Sequence, residues 1–177
     1  GTLNLGASTL TNTGVVTTAA ATSVVKTTAN SSSAFGNISS VANASIFAGT
    51  IVDVTVSGAL TSGTAMKVLN GGAAGANVAI TVTDNSPRYS FTGSMAAGDI
   101  SITPTSTTSA ITTSPNNTSV ATALDAAAGS ATGDFLTVQN ALSTLSTDTA
   151  LDEAYAQLDP VVNAGANGAS FNAVNQS

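Results

Sequence analysis

The chain has 177 residues, a formal net charge of −6, only 3 Lys and Arg together, and no His, Cys or Trp. Without Cys there is neither a disulfide framework nor a thiolate metal site, and without His the usual general base of a Ser-His-Asp arrangement is missing. Lys26, Lys67 and Arg88 lie too far apart in sequence to form a phosphate-neutralising stripe, which excludes nucleic acid as a partner class. At 42 % hydrophobic and 7 % charged, the composition is also unlike that of a disordered acidic tail.

Residues 1–45 read as short strands. Leu3 and Leu5 alternate with polar neighbours ahead of Gly6, and Val15-Val16 and Val24-Val25 are brief apolar peaks among Thr and Ala. Their spacing suits rungs of a β-solenoid. A Ser-rich loop follows at Ser31 to Ser33.

Period-two patterning sharpens over 46–103. Val52, Val54 and Val56 alternate with Asp53, Thr55 and Ser57; Met66 and Val68 flank Lys67; Val78, Ile80 and Val82 follow. Asp84-Asn85-Ser86-Pro87 is a turn, then come Tyr89 with Phe91, a Gly98-Asp99 break, and Ile100 with Ile102. The simplest reading of strands joined by short turns is an antiparallel meander. These twelve apolar residues are the expected core of the cap.

Residues 104–116, rich in Ser, Thr and Pro, read as a linker without periodicity. From 117 to 177 the period changes to that of helices. Asn117, Thr118 or Ser119 is the expected cap of a helix carrying Val120, Ala123 and Leu124 and ending at Gly129. Asp134 opens a second helix with Leu142 and Leu145, and Asp148 a third with Leu151, Tyr155 and Leu158 before Asp159-Pro160. A further helix is expected to start near Ser170, with Phe171 in its apolar set. No run of apolar residues is long enough to cross a bilayer as a helix.

Three segments carry a likeness to a known family. Asp84 to Phe91 (DNSPRYSF), Asn116 to Ala128 (NNTSVATALDAAA) and Leu151 to Ser177 (LDEAYAQLDPVVNAGANGASFNAVNQS) come in that order. Together they resemble the junction between passenger and translocator in type V autotransporters of Gram-negative bacteria. The resemblance covers about residues 45–177 and implies a fold class that is mainly β. The end of a right-handed parallel β-helix would carry an antiparallel, autochaperone-like β-meander cap, followed by a short α-helical linker segment. Leu124, Leu142, Leu145, Leu151, Leu158 and Phe171 would then belong to the linker into an outer-membrane barrel. The start at Gly1 and the end at Gln176-Ser177 fit a fragment of such a protein.

The implied function is structural: capping the passenger, nucleating its folding and joining it to its barrel. The implied partners are that barrel and the upstream passenger rungs, at the cell surface, in the outer membrane or secreted. An adhesin-type binding module for a host-surface ligand and a self-assembling filament or surface-layer subunit are the alternatives from other classes. No enzyme is expected, because no G-x-S-x-G, P-loop or G-x-G-x-x-G motif occurs. Nor is a cofactor or metal expected, because Asp53, Asp84 and Asp99 are dispersed and two of them sit in turns. Tyr89 and Phe91, among so few aromatics, read as core rather than as a ligand platform.

Overall fold

The computed structural model of the chain describes residues 1–17, 22–40, 44–46, 48–71 and 78–159. In chain order its first strands are β1 (Thr2–Asn4), β2 (Thr9–Asn12), β3 (Val16–Thr17), β4 (Val24–Ala29), β5 (Asn37–Ser40) and β6 (Ala44–Ser45). Then come β7 (Ile51–Val56), β8 (Met66–Asn70), β9 (Thr81–Asp84), β10 (Tyr89–Ala96) and β11 (Asp99–Ser106). The helices are α1 (Thr108–Ile111), α2 (Pro115–Ala127), α3 (Gly133–Ser143) and α4 (Asp148–Leu158).

A four-stranded sheet runs β1-β4-β7-β9, with every pair parallel. Its register sets Leu3, Val25, Val52 and Val82 side by side, and Asn4, Lys26, Asp53 and Thr83 in the next row. Because successive side chains leave a strand on opposite faces, one row is apolar and its neighbour polar. Val25 and Val52 are buried, while Lys26 pairs with Asp53 at 3.0 Å on the wet face and the Thr83 hydroxyl donates to Asp53 at 3.1 Å. Burying a Val side chain in such a row is worth about 1.5–3 kcal/mol. An exposed ion pair beside it contributes about 1 kcal/mol at most. The inner face therefore holds this sheet together.

The second sheet is five-stranded, in the order β10-β11-β8-β5-β2. Its β2-β5-β8 part is parallel and its β8-β11-β10 part antiparallel. A short parallel pair, β3 with β6, completes the strand pairing. Between the sheets lies one buried cluster that includes Val54, Met66, Val68, Tyr89, Ile100 and Ile102. Where loops cross most closely the sequence has Gly58, since a Cβ there would stand 2.0 Å from the Asn30 carbonyl oxygen.

The expected class, mainly β and built as a solenoid end with an antiparallel meander cap, is overturned. The fold is mixed α/β, with parallel and mixed sheets of 4 and 5 strands and 4 helices. Within 46–103, β7 and β9 pair in parallel in the first sheet, and only β8, β10 and β11 are antiparallel neighbours. The physical reason is that alternation reports which face of a strand is buried and not which strand lies beside it. The stretch 104–116 also differs from the expected unstructured linker. β11 continues through Ser106, α1 follows, and Ser114 caps α2 by accepting the Asn117 N–H at 3.1 Å, with Pro115 at the first helical position. Thr147 caps α4 in the same way, accepting the Ala150 N–H at 3.2 Å.

Candidate functional site

The turn at 84–87 aims Arg88 inward. Asp84 Oδ1 accepts the Ser86 N–H at 2.9 Å and the Ser86 hydroxyl accepts the Arg88 N–H at 3.2 Å. Asn85 Oδ1 accepts the Val56 N–H at 2.7 Å, which fixes the turn to the end of β7. On the far side, the Thr107 N–H donates to the Arg88 carbonyl at 3.0 Å. With its backbone held at both ends, the Arg88 side chain has no route to solvent and is 0 % exposed.

Its guanidinium is matched donor by donor. Nε and Nη2 both reach Asp125 Oδ1, at 3.2 and 2.9 Å, and Nη2 also reaches Gln139 Oε1 at 2.5 Å. Nη1 donates to the Gln139 carbonyl and to the Ser143 hydroxyl, each at 3.0 Å. The Tyr89 ring lies 5.4 Å from the guanidinium carbon. The other oxygen of Asp125 accepts the Thr108 hydroxyl at 2.5 Å and that of Ser106. Gln139 Nε2 donates to the Leu124 carbonyl at 2.7 Å, so α2 and α3 are bonded to each other as well as to Arg88. A buried charge is costly unless it is paired and its remaining donors are satisfied. Both conditions are met here.

The same seam has a second, neutral line of bonds. The Tyr89 hydroxyl accepts the Leu60 N–H at 3.0 Å and donates to the Leu60 carbonyl at 3.1 Å. Asn140 Oδ1, on α3, accepts the Ala59 N–H at 2.9 Å. Beneath it the helices close over their own cluster of Ala121, Leu142, Leu151 and Tyr155. Tyr155 is 0 % exposed, and burial pushes its phenol upward from the ordinary range even with Arg88 nearby. Its hydroxyl lies by Thr108, whose own hydroxyl is given to Asp125, and is left without a well-formed hydrogen bond.

The residues expected from the sequence fall in three places. Val52, Val54, Val56, Met66, Val68, Tyr89, Ile100 and Ile102 are buried between the sheets, and Val78, Ile80, Val82 and Phe91 pack half-buried against them. In the helical cluster Leu142 and Leu151 are buried and Leu124 and Leu145 half-buried. Leu158 is 42 % exposed, and Phe171 lies outside the described residues. Sequence reasoning missed Arg88, Asp125, Gln139 and Ser143 as a unit. One signal was present: Arg88 is the chain's only Arg, next to an aromatic residue in a turn-strand motif. Arg is the side chain best suited to a buried fork of hydrogen bonds.

Chemically the cluster is a clasp. Each polar group of Arg88 and Asp125 is committed to another protein group, Asp125 to the guanidinium on one oxygen and to the Ser106 and Thr108 hydroxyls on the other. A cleft of ≈ 450 Å³ on its outer side is lined by Thr61, Ser62, Ser106, Thr108 and Thr122 around Asp125. No group of three or more Asp or Glu among the described residues is placed to hold a metal ion. No helix among them is long and apolar enough to cross a membrane, which leaves β-barrel spans aside. Comparison of the chain with protein-family models, with curated proteins and with solved structures finds no match.

Proposed function

We propose that this chain is a non-catalytic structural segment of a secreted surface protein of a Gram-negative bacterium. In this reading it caps an autotransporter passenger, nucleates its folding and joins it to an outer-membrane barrel. The observation that supports it most is the Arg88 clasp. Arg88 stands inside the Asp84 to Phe91 motif, and its main partner Asp125 stands inside the Asn116 to Ala128 motif. Two of the segments that carry the resemblance are thus bonded to each other through a fully buried guanidinium and a partly buried carboxylate. A joint of this kind passes load between strands and helices, which suits a segment set between a passenger and its anchor. On the opposite side, β1 and β2 are the last strands of their sheets, and upstream passenger strands would continue the ladders there.

The test is equilibrium unfolding of residues 1–177, followed in parallel by far-ultraviolet circular dichroism and native-state hydrogen exchange. The reading expects one transition for strands and helices, with the strongest protection in β10, β11 and the parts of α2 and α3 that face Arg88. Helices that melt separately from the strands would sink it. A self-assembling subunit draws on the same unpaired edges of β1 and β2 and differs in one respect. It requires concentration-dependent growth that a Pro placed in β1 abolishes.

A further inference from the structure

A strand at the edge of a sheet carries unpaired N–H and C=O groups that recruit another strand. In the four-stranded sheet the edge strands are β1 and β9, and all four strands run the same way. β9 of one copy can therefore meet β1 of another in the parallel sense that the ladder already uses. The edge strands of the second sheet, β2 and β10, also share one direction.

Continuing the ladder register from β9 into β1 of a second copy tests the match row by row. Val82 would meet Leu3 of the second copy and extend the apolar row that holds Val25 and Val52. Leu3 is 39 % exposed, because its row ends there. Thr83 would meet Asn4 and extend the polar row of Lys26 and Asp53, and Thr81 would meet Thr2. Three rows thus fit. The fourth does not. The Leu5 N–H donates to the Lys26 carbonyl at 2.9 Å, which sets Leu5 opposite Thr27, so this row runs Leu5, Thr27, Val54, Asp84. Its first three members are buried, and Asp84 closes it at the surface. By alternation Asp84 leaves β9 on the same side as Val82, the inner one. A further strand would press Leu5 of the second copy against that carboxylate and take it out of water. No cation is at hand: Lys26 is paired with Asp53, and Asp84 has no ion pair among the described residues. Burial already pushes its carboxyl above the ordinary range, against the Ser86 N–H bond, and the Asp53 carboxylate adds to the rise. An unpaired carboxylate is among the costliest groups to bury, and an inward charge on an edge strand is one way a sheet refuses a further strand.

We infer that Asp84 is the stop of the parallel ladder, the residue that keeps β9 from taking β1 of a second copy. Without its charge the chain stacks head to tail, a heterologous contact that does not close on itself. The inference deepens the capping reading and rests on it for taking β9 as the outer end of the ladder.

Sedimentation velocity on the full chain tests it. The parent should stay monomeric, and Asp84→Val should form species that grow with concentration, at concentrations lower by about tenfold or more. Asp84→Asn keeps an acceptor for the Ser86 N–H, so it should fold as the parent does and associate more weakly than Asp84→Val. Leu3→Asp puts a charge on the opposite edge. A chain with both Asp84→Val and Leu3→Asp should be monomeric alone and form a one-to-one complex with the parent, whose β1 is intact. Asp84→Val that keeps its circular dichroism and stays monomeric would overturn the inference; where it fails to fold, a folded and monomeric Asp84→Asn would do the same. So would a parent that stacks by itself, or a double variant that still self-associates. Monomeric variants alongside a single unfolding transition would leave the capping reading standing, whereas helices that melt apart from the strands would sink that reading and not the edge result.

Discussion

Arg88 concentrates the cost of failure at one position. Methionine there has a similar length and no donors, so it leaves Asp125 without its cation and strands the acceptors on Gln139 and Ser143. Breaking a buried pair from one side costs about 3–5 kcal/mol. Arg88→Met should therefore destabilise the chain by that amount in denaturant unfolding, with circular dichroism confirming which elements remain. Asp125→Asn keeps an oxygen for the guanidinium and should cost less, about 1–3 kcal/mol. Tyr155 makes the contrast. Its hydroxyl is buried without a well-formed partner, so Tyr155→Phe removes a desolvated group and no bond worth keeping. Unfolding of that variant should match the parent or shift slightly toward higher stability, within about 1 kcal/mol. A large loss would mean that the phenol holds Thr108 in place.

Among elements, the contact that joins α4 to the start of α2 is one of those that respond to pH. Asp152 accepts the Thr113 hydroxyl at 2.5 Å, the Thr113 N–H at 3.2 Å and the Asn117 side-chain amide at 2.7 Å. Those bonds to Thr113 and Asn117 hold its carboxyl below the usual carboxylate range. Burial opposes the same effect at Asp99, but the Lys67 ammonium at 2.6 Å and the Gly71 N–H outweigh it, and Asp99 also lies low. A carboxylate with a depressed folded pKa adds stability above its unfolded value, near pH 4, and loses it as pH falls further through the folded value. Asp84 works the other way, because desolvation raises it and acid relieves that cost. Stability should thus fall below about pH 4. Asp152→Asn should flatten that acid limb, read as the denaturant midpoint against pH, and an unchanged limb would remove Asp152 from the account.

How far elements could be read from residues follows from what each pattern encodes. Alternation at Val52, Val54 and Val56, and at Met66 and Val68, coincides with their inward face, because a sheet with one wet side writes that face into the chain. Helix starts were marked to within a few residues, with Asp134 and Asp148 in first turns, though Ser114 rather than Asn117, Thr118 or Ser119 caps α2. Pairing was not legible. Thr27 meets Val54, and Val54 meets Asp84, through parallel neighbours that no local period announces. The clasp was also hidden, because Arg88 and Ser143 are 55 positions apart and a single cation in a turn is ordinarily solvated.

At the level of the whole molecule, the joint between strands and helices makes the two halves interdependent. Leu60 is held by Tyr89, Ala59 by Asn140 and Arg88 by α2 and α3, all along one seam. Removing the helices would open that seam and leave the guanidinium without its partners. The turn between β10 and β11 has a separate, kinetic consequence. Register runs from Tyr89 opposite Ser106 to Ala96 opposite Asp99, so only Ala97 and Gly98 connect the two strands. Both have positive φ, 50° for Ala97 and 85° for Gly98, and Ala97 is the one non-glycine residue in that region among those described. Every other described ladder joins strands far apart in sequence, and loop closure makes such pairings slow to nucleate. Among the described ladders the hairpin is the one that can start locally, and its first step forces an Ala into a conformation that suits Gly. Ala97→Gly should therefore speed refolding in a stopped-flow chevron more than it slows unfolding, so that a single methyl group acts as a brake on how soon the chain finds its fold.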